Sequence, residues 1–243
     1  MGELRIVPAG ERAVVAEYGN LIDEKINDQV HALAGKLSGQ PGIEELVPTF
    51  RSLLIYYDPL KKPYEELCDM ILCADREKKK DQEKIGCRLR IPCCYGSHFG
   101  PDLADMEKHT GLTREEIIRI HSTTEYKVYM LGFLPGFVYL GGLDERLYMP
   151  RLSTPRVKIP KGAVGIGGSQ TGVYPLDSPG GWRQIGSTPV DFYDPNRENP
   201  VLCKAGDVIR FEPVTSCDYY DIRQEILQGR YEIPVENYAV VPE

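Results

Sequence analysis

The spacing of apolar residues differs between the two halves of the chain. Residues 12–17 are a short β-branched run around Val14 and Val15. Residues 23–37 follow a helical period, with Ile22, Ile26, Val30, Leu33 and Leu37 on one stripe. Gly39 and Pro41-Gly42 stop that helix. Two strand candidates follow, 43–47 and 52–57, and Asp58-Pro59 turns the chain. Pro63 is placed to open a second helix, whose apolar residues are Leu67, Met70, Ile71 and Ala74. Residues 76–84 are charged and predict a solvated helix end or linker. Residues 85–92 read as another strand. The order strand, helix, strand, strand, helix, strand predicts a split βαβ, ferredoxin-like α/β domain over residues 1–90.

Beyond it the pattern changes. Pro101 opens a helix over 102–109, and Gly111 ends it. Thr113 to Glu116 is a capping box: the Thr113 hydroxyl accepts from the third amide while Glu116 reaches back. That second helix runs to about residue 122. The runs 126–133, 137–140, 157–159, 163–166, 190–193 and 208–211 are short and separated by turns. From Gly132 to Pro189 there are 12 Gly and 7 Pro. Short strands with frequent turns predict a β-barrel or sandwich over residues 91–243, with 216–228 as a closing helix. The fold class expected is α+β.

Composition narrows the function. Hydrophobic residues are 42% and charged residues 27% of the 243, which suits a folded core. Lys plus Arg is 29 and Asp plus Glu is 36, a formal charge of -7, so nucleic acid is a poor partner. No apolar run approaches the roughly 18 residues of a membrane span. Charges at Glu3, Arg5, Glu11 and Arg12 interrupt any leader-like run. The seven cysteines are odd in number and irregular in spacing, which predicts reduced thiols in a cytoplasmic protein. No paired Cys/His spacing points to a metal.

His121 shares the apolar helix face of Ile117 and Ile118. It is either a hydrogen-bonded core residue or a polar group held at the barrel mouth near Tyr126. His31 and His109 fall on polar helix faces, and His98 falls in a loop. The segment Gly165 to Gly172 fails as a phosphate loop, because Val173-Tyr174 stand where Lys and Ser/Thr are required. Its amides, beside Ser169, Gln170 and Thr171, are a candidate oxyanion site. Arg151 and Arg156 flank a Pro-containing loop next to it and suit a carboxylate. No Ser-His-Asp order or nucleophile elbow is present. His121, Tyr126, Arg156, Gln170 and Thr171 are therefore expected to converge on one cleft. Phe137 and Trp182 lie at turns and are expected to stay partly exposed as interface anchors, with Phe133 and Tyr139 pointing inward.

Tyr95-Gly96, Phe99-Gly100-Pro101-Asp102-Leu103, His121, Tyr126, the run from Leu131-Gly132-Phe133 through Pro135-Gly136-Phe137 to Gly142-Leu143, Pro155-Arg156, Gln170-Thr171-Gly172-Val173-Tyr174-Pro175 and Ser178-Pro179-Gly180-Gly181-Trp182, in this order, resemble the KipI/PxpB family. Its members are the B subunits of 5-oxoprolinase, formerly labelled as the first subunit of allophanate hydrolase. The resemblance implies a small α/β domain followed by a cyclophilin-like β-barrel. It implies ATP-dependent opening of 5-oxoproline to L-glutamate together with subunits A and C, with no ATP-binding residue identified in this chain. Phe137 and Trp182 would then face the C component of that complex. Two other roles attach to the family: inhibition of a sporulation histidine kinase, and a module in the carboxyltransferase region of urea carboxylase.

Overall fold

Strands β1 (Leu4–Pro8) and β2 (Ala13–Tyr18) form an antiparallel hairpin, and β2 carries the predicted β-branched run. Helix α1 (Glu24–Leu37) buries Val30, Leu33 and Leu37, the stripe its spacing predicts. Asp23 caps it, accepting from the Lys25 and Ile26 amides at 2.9 and 3.2 Å. Strands β3 (Ile43–Pro48) and β4 (Ser52–Tyr57) follow, then α2 (Tyr64–Arg76), which buries Leu67, Ile71 and Ala74. The four strands form one antiparallel sheet in the order β1-β2-β4-β3. Both helices share a core with its Val14, Ala16, Leu53 and Ile55.

The computed structural model describes residues 4–77 and 84–240, so most of the charged 76–84 stretch lies outside the described residues. The chain divides into two units between Glu83 and Lys84, short of the boundary expected after residue 90. One strand assignment is corrected. Residues 85–92 do not close the first sheet; they belong to β5 (Lys84–Tyr95) of the second unit. The edge beside β2 is taken by β1, whose half-buried pattern has no clear alternation to mark it in the sequence.

After β5 the second unit continues with α3 (Leu103–Thr110) and α4 (Arg114–Thr123), the latter with the predicted capping box formed by Thr113 and Glu116. The remaining elements are β6 (Tyr126–Leu131), β7 (Val138–Gly141), β8 (Arg156–Ile159), β9 (Ala163–Gly167), β10 (Gln170–Val173), β11 (Ser178–Gly180), β12 (Arg183–Ser187), β13 (Val208–Pro213), α5 (Ser216–Leu227) and β14 (Val235–Val240). The predicted run at 190–193 is irregular, with a single bridge from Tyr193 to Val201.

Seven strands close a barrel in the order β5-β13-β6-β7-β10-β9-β12 and back to β5. Strand β5 makes closure possible because it is long enough to serve three neighbours. Residues 88–93 pair with β13 in parallel, Cys94 and Tyr95 pair with β12, and the first part of the strand pairs with β14. The interior holds Ile91, Val128, Val138, Leu140, Val164, Ile166, Val173, Ile209 and Phe211. None of the seven cysteines is in a disulfide. Among the described residues no helix is long and apolar enough to cross a membrane, and no group of three His, Cys, Asp or Glu is placed to hold a metal.

The loop from β5 to α3 presses directly on β12. A Cβ on Gly100 would stand 1.9 Å from the Ile185 carbonyl oxygen and 2.2 Å from its carbon. Both are backbone atoms of a barrel strand and cannot swing aside as a side-chain tip would. Gly100→Ala is expected to destabilise the second unit by about 3 kcal/mol, the upper range for an overpacked site. Denaturant unfolding of the full chain measures it, and a loss under about 1 kcal/mol would show that the loop relaxes freely.

Candidate functional site

The capping box starts α4 at a fixed residue, and two turns later His121 arrives on its buried face with Ile117 and Ile120. The imidazole has no exposed surface. Its Nδ1 lies 2.8 Å from the Tyr95 hydroxyl, and its Nε2 lies 3.0 Å from Thr171 Oγ1. The Thr171 hydroxyl donates to the Gly165 carbonyl at 3.1 Å, and a carbonyl only accepts. The remaining directions follow: Nε2–H donates to Thr171, and the Tyr95 O–H donates to Nδ1. The ring stacks on Phe211 at 4.8 Å and meets Tyr126 at 5.2 Å. Burial lowers the His121 pKa from 6.5 to about 3 and pushes the Tyr95 phenol well above 10. At neutral pH this chain of hydrogen bonds does not titrate. Tyr126 is also fully buried, so it packs inside rather than lining a barrel mouth; its sealed hydroxyl has no partner among the described residues.

Strand alternation separates Gln170 from this cluster. Thr171 points inward to His121, so Gln170 and Gly172 point to the other face of β10. That face is covered by Trp182. A Cβ on Gly172 would sit 3.1 Å from the indole, and one on Gly167 only 2.4 Å from its Nε1. The glycines thus form a bare floor for the ring. Their amides do not form an oxyanion site: 167 and 170 to 173 lie in the strand ladder, and the Gly168 N–H donates to the Met149 carbonyl at 2.8 Å.

Arg156 is committed elsewhere. Its guanidinium makes two 2.6 Å bonds to Asp102, a carboxylate only 5% exposed that also accepts from the Gln184 amide at 2.7 Å. This pair ties the start of α3 to β12 and β8, and Asp102 raises the Arg156 pKa. The expected cleft therefore resolves into three places: His121, Tyr126 and Thr171 inside, Gln170 under the Trp182 face, and Arg156 in an ion pair. Arg151 stands 5.9 Å over the Trp182 ring and has no ion pair among the described residues.

The exposed and buried aromatics are exchanged relative to the sequence reading. Phe137 and Trp182 are 1% and 4% exposed, and they meet at 5.5 Å with Tyr139 and Tyr174 around them. Phe133 is 61% exposed. The cause is local. Leu134 N–H donates to the Gly132 carbonyl across Phe133, a γ-turn that holds Phe133 at φ +68. Phe137 N–H then donates to the Leu134 carbonyl, with Pro135 and Gly136 (φ +79) at the centre of a β-turn. The first turn throws Phe133 outward and the second folds Phe137 in. Pro135-Gly136 was the signal for it. Tyr95 and Asp102 carried no assigned role in the sequence reading, since their partners lie 26 and 54 residues away.

Residues 4–203 match the family described as carboxyltransferase domain, subdomain C and D. The B subunit of 5-oxoprolinase from Bacillus subtilis (strain 168) is 41% identical over 234 residues, covering 91% of this chain and 97% of that protein. The crystal structure of TTHA0988 superposes with a TM-score of 0.74 at 34% identity; it covers 84% of this chain, which spans only 40% of that one. The urea amidolyase of K. lactis gives a TM-score of 0.84 over 98% of this chain and 16% of its own. At 21% identity that likeness is one of fold.

The buried imidazole makes stability depend on pH. The unfolded chain takes up a proton at His121 near pH 6.5, and the folded chain only near pH 3. Its contribution is complete above pH 6.5 and falls by about 1.4 kcal/mol per pH unit between those values. Denaturant unfolding at pH 7 and pH 5 is expected to show a loss of about 2 kcal/mol from this group. His121→Asn should remove that part of the decline; an unchanged decline in the variant would assign it to other groups.

Proposed function

The chain belongs to the carboxyltransferase subdomain C and D family and, within it, to the 5-oxoprolinase B subunits, and from that premise we propose that it is the B component of a cytoplasmic complex that opens 5-oxoproline to L-glutamate with ATP. Correspondence to a 5-oxoprolinase B component over nearly the full length of both chains carries this reading. Subunits A and C are the partners it implies, and the barrel is read as cyclophilin-like.

A lactam is a resonance-stabilised amide, so its hydrolysis at neutral pH needs an activated carbonyl oxygen. ATP supplies that activation in the reading taken here. The β9–β10 hairpin does not fit nucleotide phosphates, because its amides are engaged and Val173-Tyr174 replace the phosphate-loop Lys and Ser/Thr. In this reading the phosphoryl step is shared with the partner subunits. The residues of this chain bind and orient. His121 is a positioning residue: through Thr171 it fixes β10, and β10 carries Gln170 on its outer side.

Two experiments test the reading. The purified chain, given 5-oxoproline and ATP, is expected to release no glutamate, and addition of subunits A and C should restore turnover. Full turnover by the chain alone overturns its role as a component, and a complex inert toward 5-oxoproline overturns the activity. The second concerns the partner surface, for which Phe133 is the exposed aromatic. An aromatic presented on a tight turn suits an interface anchor, and its removal typically costs about 2 kcal/mol of binding. Phe133→Ala is expected to weaken co-purification of the partner subunits while leaving the melting temperature unchanged. Undiminished assembly would place the interface elsewhere.

A further inference from the structure

We propose that the Trp182 face of the barrel is a binding site for a small carboxylate that also carries an amide, with Arg151 taking the carboxylate and Gln170 with the Trp182 indole N–H taking the amide. For its natural ligand, 5-oxoproline, the proposal rests on the function proposed above; the chemistry of the site stands on its own observations.

The first is a donor on a rigid wall that is left to solvent. Trp182 is 4% exposed and held by Phe137, Tyr139 and Tyr174 at 5.5, 5.8 and 6.4 Å. Its Nε1 lies over Gly167, and this N–H has no hydrogen-bond partner among the described residues. The second is Gln170, which pairs across the hairpin with that same Gly167. It is 8% exposed, yet its amide is not sealed from solvent and makes no hydrogen bond among the described residues. Water meets that amide in the free protein, and a ligand group of matching polarity can take the place of that water. The third is charge. Arg156 is neutralised by Asp102 and Arg183 faces Asp105 at 3.4 Å, whereas Arg151 over the indole has no carboxylate among the described residues. The site is also rigid, because Thr171 next to Gln170 is bonded to His121 and Gly165.

These groups specify a ligand class. A guanidinium matches a carboxylate in a bidentate way. A glutamine amide offers both a donor and an acceptor, so it can meet both the C=O and the N–H of another amide. The indole only donates and suits the same carbonyl oxygen. A bare anion would leave the glutamine acceptor unused, and an amine would oppose Arg151.

Trp182 is the only tryptophan of the chain, so its emission reports on the site directly. The full chain is titrated with 5-oxoproline, with 2-pyrrolidinone (the lactam without the carboxylate) and with proline (the carboxylate without the lactam). The expected result is a saturable change with 5-oxoproline and binding about tenfold or more weaker for either analogue. Arg151→Ala, at an exposed position, and Gln170→Leu should each weaken 5-oxoproline by a similar factor. No saturable change, or equal affinity in Arg151→Ala, overturns the site. Turnover by the complex with subunits A and C is measured in parallel. A complex that turns over 5-oxoproline with an unchanged KM in Arg151→Ala also rejects the site while sparing the function. An Arg151-dependent emission change with an inert complex supports the site and rejects the function.

Discussion

An indole ring can lie flat on a β-sheet only where the strands beneath it carry no side chains, and much of the second unit is arranged around that constraint. Gly165, Gly167 and Gly172 remove the Cβ atoms under Trp182, and the aromatic rings of Phe137, Tyr139 and Tyr174 close around its edges. Glycine inside a strand costs backbone entropy and gives no packing of its own. Burying a tryptophan offsets that cost, since truncating such a residue typically loses about 3–5 kcal/mol. The same strands must fill the barrel interior with their other face, and Val164, Ile166 and Val173 do so. The alternation of β9 and β10 thus serves two cores, an aliphatic one inside and an aromatic one outside.

The two faces are coupled through one residue. Thr171 stands between outward Gln170 and Gly172, and its hydroxyl joins the His121 imidazole to the Gly165 carbonyl. Gly165 belongs to the floor under Trp182. A polar bond inside the barrel therefore fixes the height of the strand that carries the outer site. An aliphatic residue at 121 would leave the Tyr95 hydroxyl without its bond to the imidazole. A fully satisfied buried network of this kind holds one register in place of several.

The sequence made some of this legible and hid the rest for identifiable reasons. Helices α1 and α4 were readable because a stripe and a cap are local signals. The barrel was readable from turn density. The fate of residues 85–92 was not, because β5 pairs with β13 more than a hundred residues later and local patterning says nothing of distant partners. Arg156 looked like an anion ligand because Asp102, 54 residues before it, is invisible as a partner until the chain folds. Phe133 and Phe137 were exchanged because two consecutive turns invert the faces that strand alternation would assign. His121 was placed on the correct helix face, and of its two readings the structure supplies the bonded core residue.

Burial in the barrel bears on where the chemistry of a lactam-opening reaction can reside. General acid–base catalysis needs groups that change protonation near the working pH. The interior does the opposite: desolvation lowers His121 to about 3 and raises Tyr95, Tyr126, Cys93 and Cys203 above their ordinary values. These side chains are fixed in their neutral forms and serve as packing and hydrogen-bonding material. What the outer face adds is a fixed cation, an amide and an indole donor, which recognise a ligand without exchanging protons with it. In the function proposed here a division between subunits then has a physical basis: the groups of this barrel suit recognition of the lactam, and groups that exchange protons near neutral pH are left for the partner subunits to supply.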